Sequence, residues 1–205
     1  MRSVRYRSKL VLFAALLAGQ PAQADGADVA YSSTSKAKGC RVILQPPPGN
    51  QDEHHPTILQ CGGTAGFGVR IEYLGASVHI KIGKGDLAKA PLTLGAPYDV
   101  GPMIEWRGVR AANGFRPQTA IIRLIALNDR QKPVSVLAVL RVEADRTCPA
   151  AFIDPAAVPK ANEEARIVAD RLAGRFRCGS DAVIAIGQKT ELIAEMASRG
   201  GIEVQ

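Results

Sequence analysis

The chain is poor in the residues that most often carry chemistry. Its 205 residues include three histidines, one tryptophan and four cysteines, and aromatic side chains make up only 5%. No C-x-x-C spacing occurs, and three histidines beside scattered thiols do not compose a zinc site, so no metal or other cofactor is expected. A G-x-S-x-G elbow, a Walker loop and a G-x-G-x-x-G fingerprint are all missing. Gly62-Gly63-Thr64-Ala65-Gly66 reads instead as a glycine-rich turn between strands. Beyond residue 24 nothing approaches the roughly 18 to 20 uninterrupted apolar residues of a membrane helix. The positive charge is smaller than it first looks. The formal +7 falls to +3 once the first 24 residues are set aside, because they hold four of the 26 basic residues and none of the 19 acidic ones. That balance argues against a nucleic-acid partner.

Those first 24 residues have a character of their own. Arg2, Arg5, Arg7 and Lys9 precede the apolar run Leu10 to Ala18, and Gln20-Pro21-Ala22-Gln23-Ala24 follows. A basic start, an apolar stretch too short to span a bilayer and an A-x-A ending are the parts of an export signal. Cleavage near Ala24 would leave 181 residues, enough for one well-cored domain. The expected location is the periplasm or the exterior. Oxidising conditions there suit the cysteines, Cys40, Cys61, Cys148 and Cys178. Four cysteines allow three pairings. Cys40–Cys61 and Cys148–Cys178 are expected, since each couple brackets a local unit and the span between 61 and 148 holds none.

Along the chain, residues 25–38 are small and polar and read as a flexible lead-in to a domain over 39–178, with an extension at 179–205. Arg41 to Gln45 and Thr57 to Cys61 read as short strands on either side of Pro46-Pro47-Pro48-Gly49 and a polar loop. Phe67, Val69, Ile71 and Tyr73 alternate with Gly68, Arg70 and Glu72, and Val78, Ile80 and Ile82 repeat the pattern after Gly75-Ala76. Period 2 marks a half-buried hairpin. Residues 83–102 read as an irregular connection. Strands are expected at 103–110, 119–127 and 134–142, with turns at Asn113-Gly114 and Asn128-Asp129, and a short strand at 150–153. From about Pro159 to Phe176, Ala161, Ala165, Val168, Leu172 and Phe176 form one helical stripe. The extension suggests a strand at 182–186 and a short helix at 191–199. The expected fold class is α+β: a largely antiparallel sheet, or meander, with a C-terminal helix packed on one face and two disulfides.

Few residues invite a chemical role. Asp52-Glu53-His54-His55 gathers carboxylates and imidazoles, but neighbours on an extended loop point apart, and a metal would need another ligand from elsewhere. His79 falls on the polar face of its strand. Glu105, Asp129 and Glu143 are conceivable glycosidase carboxylates, yet each has an arginine nearby, which makes surface pairing the simpler reading. Trp106, Arg107 and Arg110, with Phe115 and Arg116 soon after, suggest a recognition patch, because Trp and Arg dominate binding hot spots. The competing reading packs Trp106 in the core between sheet and helix. The binding candidates are thus Trp106, Arg107, Arg110, His54 and His55.

Gly39-Cys40-Arg41-Val42, Gln60-Cys61-Gly62-Gly63, Glu105-Trp106-Arg107, Asn162-Glu163 and Phe176-Arg177-Cys178 stand in an arrangement that resembles a set of small exported proteins of alphaproteobacteria. The resemblance implies a Gram-negative periplasmic setting and no activity. The sequence thus points to a non-catalytic binding or interaction module of the envelope, with an envelope protein or small ligand as partner. Two alternatives remain: a hydrolase using carboxylates or His54 and His55, and a hydrolase inhibitor acting through the 46–56 loop.

Overall fold

The computed structural model describes residues 27–48, 56–96, 98–127, 130, 132–187 and 193–194. The export signal, His54 and His55 with the rest of their loop tip, and the Asn128-Asp129 turn lie outside these residues. So does most of the 191–199 helix, of which Ile193 and Ala194 are described and helical.

The strands are β1 (Asp28–Ser33), β2 (Cys40–Leu44), β3 (Thr57–Gly62), β4 (Phe67–Leu74), β5 (Ser77–Lys84), β6 (Leu94–Ala96), β7 (Asp99–Ala111), β8 (Gly114–Leu127), β9 (Pro133–Val142), β10 (Thr147–Ile153) and β11 (Ile184–Ile186); helix α1 (Ala161–Leu172) precedes β11. They form two sheets, ordered β1-β7-β8-β9-β10-β11 and β2-β3-β4-β5-β6. All pairings are antiparallel except β10 with β11. The class is α+β, and the single sheet expected from the sequence is two.

The inner faces follow from the alternation. Leu59, Cys61, Phe67, Val69, Ile71, Val78, Ile80 and Ile82 of the smaller sheet meet Ile104, Trp106, Ile122, Leu124, Ala138 and Leu140 of the larger in one core. The outward residues of the smaller sheet are polar: Gln60, Arg70 and Lys81 stand in register, and Glu72 faces His79. One covered face and one solvated face is the usual arrangement of antiparallel strands. The larger sheet differs, because Ile121, Leu137, Val139, Ala151 and Ile153 give it a second apolar face, which α1 covers with Ala161, Ala165, Val168 and Ala169. Burying each of the larger aliphatic residues stabilises by about 1.5–3 kcal/mol.

Four further expectations are corrected. Residues 25–38 are no mere lead-in: Asp28–Ser33 pairs with β7 through its whole length. The 83–102 connection contains β6 and the start of β7. The helix is shorter than 159–176, because Gly174 takes φ +70° just beyond it, a left-handed conformation that ends helices. Trp106 is buried between the two sheets, not between sheet and helix. Both disulfides join the expected partners.

Candidate functional site

The site grows out of an irregularity in β8. Arg107 faces Thr119 while Gly108 faces Pro117, so Gln118 is an extra residue, a bulge that bends the β7–β8 hairpin tip. Beside it, at the open end of the sandwich, lies a cleft of about 1110 Å³. The tip contributes Asn113, Phe115, Arg116 and Gln118; β4 and β5 contribute Phe67 and Lys84. The β9–β10 turn adds Glu143 and Asp145.

Its floor is built from the core. The Phe67 ring lies 6.0 Å from that of Trp106, tilted by 40°, and the Lys84 ammonium sits 4.8 Å over the Phe67 face. A cation over a phenyl ring is held by the ring quadrupole, worth roughly 0.5–1 kcal/mol when exposed. Arg141 is committed to the framework: it donates to the carbonyls of Phe176 (3.1 Å) and Gln118 (2.8 Å). Glu143 accepts from Arg146 at 3.0 Å and from the Cys178 amide at 3.4 Å. By contrast, the side chains of Asn113, Arg116, Gln118 and Asp145 have no hydrogen bond or ion pair with another described residue.

The residues singled out by sequence fall in different places. Trp106 is 0% exposed, and its indole N–H donates to Ser32 Oγ at 2.8 Å. It therefore cannot be part of a surface patch; its inward register opposite Ala120 and Ala30 dictates this. Arg107 faces the other way but lies under α1, where it binds Asp170 through two N–H groups at 2.7 and 2.6 Å and Glu105 at 2.7 Å. Arg110 alone of the three is exposed, on the hairpin tip, 3.5 Å from Asp28. His79 pairs with Glu72 on the solvated face of the smaller sheet. Sequence reading missed the cleft as a unit. The bulge leaves no signal in the sequence, although Phe115 and Arg116 follow the tryptophan closely.

The carboxylates are tied to arginines. Burial would raise the pKa of Glu105, but hydrogen bonds and charge from Arg166 and Arg107 outweigh it and hold the group below its ordinary value. Glu72 is lowered in the same manner, burial being overcome by Arg70 and Lys81. Both are ionised at neutral pH and poorly suited to donate a proton. At the far end of β4 a hollow of about 540 Å³ is lined by Thr34, Lys36, Tyr73 and Asp99. Burial, with help from the Asp99 charge, pushes the Tyr73 phenol up to about 12. Ser33-Thr34-Ser35-Lys36 nearby has the spacing of a serine–lysine nucleophile pair. Ser33 Oγ, however, donates to the Pro102 carbonyl, while Lys36 reaches Gln45 at 3.2 Å. No group of three or more metal-ligating side chains occurs among the described residues, and no helix there is long and apolar enough to cross a membrane.

Fold and site together define a two-sheet β-sandwich with one covering helix, two disulfides and a mixed polar–apolar cleft at one end. Comparison with family models, curated proteins and solved structures returns no match.

Proposed function

We propose that the chain is an exported, non-catalytic binding module of the cell envelope, working in the periplasm or outside the cell and taking its ligand or partner in the cleft. The observation that carries this reading is the set of polar side chains without a hydrogen-bond or ion-pair partner among the described residues, Arg116, Gln118, Asn113 and Asp145, gathered around the half-buried Phe115 ring and beside Lys84, which lies over Phe67. A concave apolar surface edged by a few unpaired polar groups is the usual form of a ligand site. Two disulfides and the basic-then-apolar start of the chain support the location. The binding energy would come from desolvating the half-buried Phe115 ring, and orientation from the charged rim.

The test is chemical-shift mapping of isotope-labelled protein against fractionated envelope extract. Shifts confined to the amides of 113–116, 118 and 141–145, and lost in Arg116→Ala, are expected. Turnover of a substrate in a broad hydrolase screen, unaffected by that substitution, would replace this reading with an enzymatic one.

A further inference from the structure

We propose that the cleft takes a short apolar peptide segment through its free C-terminal carboxylate, an inference that rests on the binding-module reading. The charges in the cleft are separated by wall. Lys84 ends β5 in the smaller sheet, and Arg116 stands on β8 in the larger. Neither has a carboxylate partner among the described residues. The acids Glu143 and Asp145 come from the β9–β10 turn, and only Glu143 is neutralised by an arginine.

This layout selects against several ligand types. A polyanion such as a nucleic acid or a phosphorylated lipid would meet Asp145 and Glu143 along with the cations, and like charges brought together cost affinity. A purely apolar ligand would strip water from Lys84, Arg116 and Gln118 without replacing their hydrogen bonds. A peptide end supplies what both walls lack. Its carboxylate suits Lys84 and Arg116, for which charge-assisted hydrogen bonds are about twice as strong as neutral ones. Its amide N–H groups suit the Asp145 carboxylate and the side-chain carbonyl of Gln118, and an apolar terminal side chain suits the half-buried Phe115 ring. A volume of about 1110 Å³ has room for more than one residue. The source is either a free oligopeptide or the tail of an envelope protein, and the two share this carboxylate.

The experiment titrates the tripeptide Leu-Ala-Phe, its C-terminal amide and its N-acetyl form into isotope-labelled protein. The free-acid tripeptide should shift the amides of residues 84, 113–116 and 118. Its affinity should fall roughly tenfold on amidation, on Arg116→Gln or on Lys84→Gln, as expected for loss of one charge-assisted hydrogen bond. Both side chains are exposed, and unchanged Trp106 fluorescence will confirm that the variants fold. If the acetylated peptide binds as well as the free one, the inference holds with a protein tail as source; if acetylation abolishes binding, it holds with a free peptide. Equal binding of acid and amide at these residues overturns the carboxylate and leaves the binding module standing. No shift with any peptide, while envelope extract still shifts 113–116 and 118, overturns the peptide inference alone. If extract and peptides both leave the cleft untouched, both readings fall.

Discussion

A methyl group on residue 108 would sit 2.1 Å from the carbonyl oxygen of Arg116 and 2.8 Å from Cα of Pro117, closer than unbonded atoms approach. Gly108 therefore lets β7 and β8 come together where the bulge turns the hairpin tip beside the cleft. Gly108→Ala must push the strands apart. Overpacking of this kind costs about 1–3 kcal/mol, and urea unfolding followed by Trp106 emission should read it. Gly62→Ala is the control: a Cβ there meets nothing within 4 Å, so stability should be unchanged within error. Trp106 suits this role because it is the chain's only tryptophan and is fully buried. Its burial decides an ambiguity that no reading of residues 105–107 could settle. Glu105-Trp106-Arg107 alternates polar, apolar, polar whichever face is wet, and only the second sheet packed above Trp106 makes its side the interior.

At the scale of elements, α1 is fastened by two kinds of contact. Ala161, Ala165 and Ala169 are small enough to let the helix lie close on Ile121, Val139 and Ile153. Along its flank Asn162, Arg166 and Asp170, four residues apart, bind Arg123, Glu105 and Arg107. The apolar stripe was legible from its helical spacing. The ionic row was not, since its partners lie some 39 to 63 residues away on β7 and β8. Asp170→Asn leaves the Arg107 guanidinium, 9% exposed, with Glu105 as its remaining carboxylate partner. A loss of about 1.5–3 kcal/mol is expected, the cost of removing a charged hydrogen-bond partner. The same row sets an acid response. Because Glu105 titrates below its ordinary 4.5 in the folded chain, its ionised form favours folding at neutral pH. That contribution is complete above the unfolded value and disappears as pH falls through the lower folded one. Thermal unfolding should be level from neutrality down to about pH 5 and decline in stronger acid, and Glu105→Gln should be less stable at neutrality but flatter below it.

For the molecule as a whole, the disulfides divide the work between the sheets. Cys40–Cys61 ties β2 to β3 within the smaller sheet, closing 21 residues. Cys148–Cys178 ties the start of β10 to the segment after α1, closing 30. Loops of this size contribute about 3–4 kcal/mol each in the chain-entropy account, a large share of the 5–15 kcal/mol that separates typical folded and unfolded domains. Replacing Cys148 and Cys178 together by alanine should lower stability by about that amount. Hydrogen exchange should show α1 and β11 losing protection before the β4–β5 hairpin does, and equal loss throughout would mean that the bridge acts on the whole unfolded chain alone.

The sequence by itself determined the strands with strict alternation and the apolar stripe of α1, because each depends on near neighbours; among the three possible cysteine pairings it favoured one, which the structure then decided. Phe67 to Tyr73 and Val78 to Ile82 had to be half-buried strands, whatever covered them. Tertiary structure decided the rest. Asp28–Ser33 has a weak signal of its own and becomes a strand because β7 offers it partners. The division into two sheets follows from packing two apolar faces against one another, and the cleft exists because residues from Ala65 to Gly174 meet at one end of that sandwich. Local spacing fixes which face of an element is apolar; which surface meets that face, and what the meeting leaves open, is fixed only when distant segments come together.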